Sequence, residues 1–215
     1  MYVPATSAQP AQALAPVGVF SAAPAATPSP VHTSLTVHSS QLNVLQDNRA
    51  TVTGALREAP HRGRSGRVVL LQELLGRGWR TVARTYTQTG GRFRLSFTAR
   101  RLGSERIRLR FSGDATGRPA HRPLGMLNVY RLAGASWYGG GGTMACGGSL
   151  TSSTLGVANK TLPCGTLVTL RYDGRTVRVP VVDRGPYVAG REFDLTEATK
   201  HALGFGDTGD VWSTD

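Results

Sequence analysis

The chain has 215 residues, of which 40% are hydrophobic and 18% charged, and its formal net charge is +12. That length allows one or two small domains, and the apolar content argues against wholesale disorder. The low charged fraction argues against a coiled coil, and no run approaches the roughly 18–20 apolar residues of a membrane span. The net charge indicates an anionic partner without identifying it.

The charge is distributed unevenly, which indicates two modules behind a tail. Residues 1–31 hold six of the twelve prolines and no charged side chain, a composition that predicts a disordered spacer. Residues 32–131 carry 18 Arg and 5 acids, whereas residues 132–215 carry 7 basic and 8 acidic side chains. We therefore expect a basic domain over 32–131 and a nearly neutral domain over 132–215.

The basic module reads as a mostly β domain. Its β-prone runs, most of them separated by turn residues, are Leu35–His38, Ala50–Leu56, Val68–Leu74, Trp79–Thr87, Gly91–Thr98, Arg106–Phe111 and Leu124–Arg131. Arg106–Phe111 alternates arginine with Ile, Leu and Phe, the pattern of a half-buried strand. Gly90-Gly91 predicts a hairpin turn. About seven short strands at this spacing predict an immunoglobulin-like β-sandwich.

The arginines of this module have two interpretations. One is adhesion to an anionic polymer such as a wall polymer, because the planar guanidinium makes bidentate contacts with phosphate or carboxylate. The other is a solvated sheet face that keeps an edge soluble. No helix-turn-helix, zinc-finger or RNP-like pattern accompanies the charge, so a nucleic-acid partner is not expected.

The second half contains a strong hairpin signal and a short helix. Asp173-Gly174 joins the apolar runs Leu167–Tyr172 and Thr176–Val182, which predicts two antiparallel strands. The sequence Asp194-Leu195-Thr196-Glu197 is typical of a capping box, which predicts a helix over Leu195–Leu203 with Gly204 as its C-cap.

Four segments of this half resemble the rare lipoprotein A family of double-psi β-barrels, over roughly residues 134–212. They occur in the family's order and approximate spacing: SWYG at 136–139, NKTLPCGT at 159–166, VDRGPY at 182–187 and FDLT at 193–196. The resemblance implies a six-stranded barrel with a groove that binds wall glycan. It also implies lytic transglycosylase activity on peptidoglycan, with a preference for strands stripped of their stem peptides.

The resemblance further indicates candidate site residues. Asp183, in the DRGP motif, would be the acid and base of the reaction, and Asp194 a second groove carboxylate. Substrate contacts are expected from Tyr138, Asn159, Lys160, Arg184 and Tyr187. The residues alone leave alternatives open, because an Asp before Gly often caps a loop and Asp194 fits a helix cap.

Alternation along a strand would place Trp137 and Tyr138 on opposite faces. We expect Tyr138 in the groove, where an aromatic side chain can stack on sugar, and Trp137 in the core. Cys146 and Cys164, the two cysteines of the chain, would form a disulfide in an oxidising compartment, with two free buried thiols as the alternative. No metal site and no cofactor are predicted, because no His cluster or CxxC accompanies them.

Two departures from the family pattern favour a different function. Gly148 stands where active members often carry Glu, and Asn159 stands where they often carry His. The alternative is therefore a non-catalytic, expansin-like module that binds wall polysaccharide, and a third reading is an adhesin or inhibitor-type scaffold. The expected location is secreted or wall-associated, although residues 1–31 show no signal peptide.

Overall fold

The structure is a computed structural model that describes residues 1–2, 29–60 and 62–215. Most of the predicted spacer over 1–31 lies outside the described residues. The strands, in chain order, are β1 (Thr33–Gln41), β2 (Asn43–Leu45), β3 (Arg49–Glu58), β4 (Val68–Leu75), β5 (Gly78–Tyr86), β6 (Arg92–Thr98), β7 (Gly103–Phe111), β8 (Ala120–Tyr138), β9 (Gly142–Thr143), β10 (Ser149–Leu150), β11 (Val157–Asn159), β12 (Leu167–Tyr172), β13 (Arg175–Asp183), β14 (Phe193–Thr196) and β15 (Thr208–Ser213). A 3₁₀ turn spans Thr89–Gly91, and one helix, α1, spans Glu197–Leu203. The prediction of a mostly β chain is confirmed.

Two sheets share one core in the first half. One sheet has the order β1-β3-β6, and the other runs β5-β4-β7-β8, with β2 added to β8. Their buried side chains, among them Val52, Leu95, Leu71 and Leu109, form a single cluster. The predicted alternation in β7 is seen, with Ile107, Leu109 and Phe111 buried. The immunoglobulin-like arrangement itself stays a prediction.

The predicted hairpin at Gly90-Gly91 is wrong. Strand β5 pairs with β4, whereas β6 pairs with β3, so the chain crosses here from one sheet to the other. Gly91 has a φ of +71°, and a Cβ on it would lie 2.1 Å from the Leu56 carbonyl oxygen. The glycine is therefore required by a close approach of two backbones rather than by a two-residue turn.

Six strands of the second half pair in a ring. The pairings run β14-β11-β13-β12-β15-β8, and β8 also pairs with β14. Val157, Val181, Leu195 and Phe193 are among the residues that fill the enclosed core. The predicted hairpin between β12 and β13 is confirmed, since Tyr172 pairs with Arg175 and both turn residues have positive φ.

The helix begins two residues later than predicted. Strand β14 continues to Thr196, whose hydroxyl accepts a hydrogen bond from the Thr199 amide at 3.4 Å and caps α1. Asp194 is therefore a strand residue rather than the helix cap. Gly204 ends the helix in the left-handed conformation, as predicted. No helix of the described ranges is long and apolar enough to cross a membrane.

Strand β8 belongs to both halves. Residues 120–129 pair with β7, and residues 131–136 pair with β15. At the crossing point Tyr130 is fully buried, donates a hydrogen bond to Asn43 Oδ1 at 2.8 Å and packs on Trp212 at 5.7 Å between ring centroids. Ser104 and Thr169 add a hydroxyl contact of 2.9 Å between the halves.

We predict that Tyr130→Ala lowers the free energy of unfolding by about 3–5 kcal/mol, the range for truncating a large buried aromatic side chain. Tyr86→Ala is the matched control, because Tyr86 is exposed and its truncation should cost less than about 0.5 kcal/mol. Chemical denaturation measures both changes. Equal losses for the two variants would contradict the structural role of Tyr130.

Candidate active site

The two candidate carboxylates lie in one row across the barrel sheet. Asp194 on β14 is opposite Ser136 on β8 and opposite Ala158 on β11. Ala158 is in turn opposite Asp183 on β13. The register of β11 against β13 shifts between Val157 and Ala158, so a bulge turns Asp183 out of step with Val181. The negative charges of Asp183 and Asp194 both act on the Tyr138 hydroxyl, so the two carboxylates lie near it and are separated by one strand. At the usual interstrand spacing, this places their Cα atoms roughly 9.5 Å apart.

Asp183 is held by the backbone around it. Its Oδ1 accepts hydrogen bonds from the amides of Ala145 and Arg184, both at 2.8 Å. Asp183 therefore caps the loop, which is the alternative role that the residues alone left open. The same contacts fix the carboxylate by one oxygen at the end of β13, which orients the other oxygen.

Asp194 is half-buried and has a different environment. Ser136 donates a hydrogen bond from Oγ to Asp194 Oδ1 at 2.8 Å. Burial raises the pKa of Asp194, while the Ser136 hydrogen bond and the charge of Arg191 oppose the rise. A raised pKa allows this carboxyl group to keep its proton at a higher pH than an exposed aspartate. The sequence patterns did not identify Ser136 as a site residue. Ser136 lies two residues before Tyr138 on β8, so the two side chains share a face, and this spacing could have indicated it.

Tyr138 lies beside both carboxylates. Its hydroxyl is buried and finds no hydrogen-bond partner of good geometry among the described residues. Burial, followed by the negative charge of Asp183 and its potential hydrogen bond, and then the charge of Asp194, raises the pKa of Tyr138. The hydroxyl therefore stays protonated and is a donor that faces the Asp183 carboxylate without a hydrogen bond of good geometry to it.

Trp137 is not in the core, contrary to expectation. Its side chain is 36% exposed, its Nε1 donates a hydrogen bond to Asp207 Oδ1 at 3.0 Å, and Lys200 Nζ lies 3.8 Å from the ring centroid. Trp137 and Tyr138 do project to opposite faces of β8, as alternation predicts. However, Trp137 lies at the end of the strand, where the side of β8 that faces inward is no longer covered by the core. Trp137 stacks with the helix side chain of Lys200 instead.

Asn159 and Arg184 hold a loop rather than reach the carboxylate row. Asn159 pairs with Phe193, a core residue, and its Oδ1 accepts hydrogen bonds from the amides of Thr161 and Leu162. Its Nδ2 donates to the Glu192 carbonyl. The Arg184 guanidinium donates to the carbonyls of Asn159 and Leu162 at 3.1 and 2.7 Å. The structure therefore does not bring the Asn159 side chain to the face that carries the carboxylates.

The remaining predicted contacts, Lys160 and Tyr187, are exposed, and the described residues give their side chains no hydrogen bond to the carboxylates. The predicted disulfide is present, with Cys146 and Cys164 bonded and their Cα atoms 5.6 Å apart. The disulfide joins the loop of Ala145, whose amide donates a hydrogen bond to Asp183, to the segment over 159–164, whose carbonyls accept hydrogen bonds from Arg184. The described residues contain no cluster of three or more His, Cys, Asp or Glu that could hold a metal ion.

The family of the second half is settled by sequence comparison. Residues 132–211 match the family model described as lytic transglycolase. This segment is an RlpA-like double-psi β-barrel. A probable endolytic peptidoglycan transglycosylase RlpA from Aquifex aeolicus is 45% identical over 75 residues, which are 33% of this chain and 33% of the relative. An endolytic peptidoglycan transglycosylase RlpA from Pseudomonas aeruginosa is 37% identical over 93 residues, which are 40% and 27% of the two chains.

The matches to these RlpA proteins cover 33% and 40% of this chain, and they span about a third of the relatives' length or less. Among solved structures, the Streptomyces papain inhibitor is 27% identical and covers 39% of this chain and 91% of its own, at a TM-score of 0.33. A TM-score of 0.33 is too low to support a functional comparison. The RlpA-like assignment therefore rests on the sequence of residues 132–211.

We predict that Asn159→Ala lowers the free energy of unfolding by about 1–3 kcal/mol, because its truncation leaves part-buried backbone groups without partners. The neighbouring exposed residue provides the control, since Lys160→Ala should change stability by less than about 0.5 kcal/mol. Chemical denaturation gives both values, and amide exchange should show faster exchange at Thr161 and Leu162 in the first variant alone. Unchanged exchange there would contradict this role.

A pH titration of stability tests the environment of Asp194. Because its pKa is raised in the folded state, wild-type stability falls as pH rises from the ordinary value of 3.8 through the folded value, and the loss is complete above it. Asp194→Asn cannot ionise, so its stability relative to wild type should increase over that window. A parallel pH dependence of wild type and Asp194→Asn would contradict the burial effect.

Proposed function

We propose that the barrel cleaves the glycan strand of peptidoglycan by a lytic transglycosylase reaction. The observation that carries this proposal is the position of the Tyr138 hydroxyl beside both Asp183 and Asp194 on an RlpA-like barrel. The relatives named as endolytic peptidoglycan transglycosylases support the choice of substrate.

In the proposed reaction, Asp183 is the acid and then the base. Its carboxyl group donates a proton to the glycosidic oxygen as the C1–O bond breaks. It then accepts the proton of the sugar's own C6 hydroxyl, whose oxygen forms the new bond to C1. The products are a free hydroxyl on one fragment and a 1,6-anhydro end on the other, and no water is consumed.

The neighbouring groups would act by hydrogen bonding. Asp194, whose pKa burial raises, would line the groove as a second carboxyl group within reach of the glycan. Tyr138 has an unpaired donor and an aromatic face that suits a sugar ring. Arg184 and Asn159 would act indirectly, by holding the segment over 159–164 in place. Lys160 and Tyr187 are proposed as outer contacts for the glycan.

A non-catalytic, expansin-like binding module is the second candidate, and two positions favour it. Gly148, with a φ of +79°, supplies no side chain where active relatives of the family often have Glu. Asn159 is directed to backbone partners and supplies no proton-transfer group. Such a module would bind glycan through the same face without breaking a bond.

The proposed location is the cell wall, outside the membrane. There the basic module, whose residues 32–131 carry 18 arginines against 5 acids, is proposed to tether the chain to an anionic polymer. Phosphate and carboxylate groups are the ligands that guanidinium groups bind in bidentate fashion.

We predict that the purified chain releases fragments with 1,6-anhydro ends from peptidoglycan, and more of them when stem peptides have been removed. Asp183→Asn should lower the rate by about a hundredfold or more, the usual contribution of a general acid–base group. Mass spectrometry of the soluble fragments measures the product directly.

Asp173→Asn is the matched control, because it removes an exposed carboxylate in a turn whose positive φ of 43° asparagine tolerates well. It should leave the rate unchanged. Absence of anhydro products, with retained sedimentation on peptidoglycan, would reject the catalytic proposal in favour of the binding module. Loss of sedimentation as well would reject both.

A further inference from the structure

A second candidate site lies on the outer face of the basic module. Strand β7 points Arg106, Arg108 and Arg110 outward, while Ile107, Leu109 and Phe111 enter the core. Across the sheet, Arg110 lies opposite His121 on β8 and opposite Leu70 on β4, and Leu70 lies opposite Arg84 on β5. We call Arg84, Arg106, Arg108, Arg110 and His121 the arginine face.

Among the residues that the structure describes, no carboxylate forms an ion pair with the arginines of this face. Within residues 29–60 and 62–215, the ion pairs of the first half involve other arginines, such as Arg67 with Glu58 and Arg101 with Glu73. No Asp or Glu oxygen lies within 4.0 Å of the arginine-face guanidinium groups. Like charges gathered on one surface without acids repel each other, so a bound anion would relieve the repulsion.

Arg108 is held in place at the centre of the face. Its Nε donates a hydrogen bond to Gln72 Oε1 at 3.0 Å, and its guanidinium carbon lies 4.0 Å from the centroid of the Trp79 ring. Burial and the nearby charge of Arg110 lower the pKa of Arg108, yet a guanidinium remains charged in a protein. A pre-positioned cation loses little conformational freedom when it binds an anion.

Two adjoining cavities form a groove along this face. One of about 440 Å³ is lined by Trp79, Arg106, Arg108 and His121, among others. The next, of about 290 Å³, shares Arg108 and His121 and continues to Arg110. Alternate residues of a strand are about 6.7 Å apart, so the three arginines follow the groove at regular intervals over about 13 Å.

We propose that this groove binds a linear polymer whose backbone carries a phosphodiester in each short polyol unit, such as a glycerol phosphate chain. The inference rests on the proposed wall location and identifies the site of the proposed tether. One line of closely and evenly spaced cations matches one line of backbone phosphates. A polysaccharide with one carboxylate per disaccharide repeats its charge at a wider interval.

The aromatic floor argues against a nucleic acid. Binding of single strands without sequence preference relies on bases stacking on open aromatic rings. The ring of Trp79 already has the Arg108 guanidinium against it, and Trp79 is the one aromatic residue among those that line the larger cavity. The groove therefore recognises charge spacing rather than planar rings.

Binding of a synthetic glycerol phosphate oligomer to the full chain, measured by calorimetry, tests the proposal. The double variant Arg106→Gln/Arg110→Gln should weaken binding by at least about tenfold, because each charge-assisted contact contributes more than a neutral one. The slope of log affinity against log salt should become shallower by roughly 1.4, the single-strand value for two phosphate contacts.

The double variant Arg92→Gln/Arg94→Gln is the matched control. It removes the same charge from exposed positions of β6 in the other sheet, and affinity should change less than about twofold if the contacts are local. Equal weakening by the two variants would overturn the proposal in favour of non-specific attraction.

Tighter binding of a single-stranded DNA oligomer, of hyaluronate or of phosphatidylglycerol vesicles would overturn the assignment of the polymer. The measurement needs no peptidoglycan cleavage, so its outcome is separable from that of the proposed activity. The variant Arg106→Gln/Arg110→Gln should still form anhydro products from peptidoglycan that carries no attached polymer. That result would confirm that polymer binding and glycan cleavage are separate functions.

Discussion

The continuity of strand β8 is the constraint on which the rest of the structure depends. One uninterrupted strand, Ala120–Tyr138, contributes its first part to the sheet of the basic module and its last part to the barrel. A hinge between the halves would have to break ladder hydrogen bonds and expose Tyr130, which is fully buried at the crossing. The charge asymmetry of the sequence indicates two modules, but the backbone joins them as one sheet.

The candidate active site is a product of strand register. The row runs from Ser136 through Asp194 and Ala158 to Asp183, and it depends on which residues pair across the strands. A slip of β14 by one residue would turn the Asp194 side chain towards the core, because successive side chains of a strand point to opposite faces. Ala158, which is buried, lies between the two carboxylates in this row. The disulfide and Arg184 then fix the loops on either side of Asp183.

The sequence patterns correctly predicted features that depend on neighbouring residues in the chain. The alternation in Arg106–Phe111 and the Asp173-Gly174 turn appear in the structure as a half-buried strand and a hairpin, because both depend on neighbouring residues alone. The errors concern partners far along the chain. Gly90-Gly91 joins strands of different sheets, and the Trp137 side chain lies beyond the end of the core. Period and turn chemistry contain no information on which strand pairs with which.

The two proposed sites are related by distance along β8. From Pro123, at the groove, to Tyr138, at the carboxylates, the strand runs fifteen residues, or up to about 50 Å when extended. Charges in physiological salt are screened over about 8 Å, so the arginine face exerts little direct attraction at the barrel. Its contribution to activity would instead be mechanical: a polymer bound at the groove keeps the barrel near its glycan, and the rigid strand sets the separation. If both proposals hold, this coupling would keep a nearly neutral barrel with two carboxylates on its proposed working face close to a polyanionic wall that would otherwise repel that face.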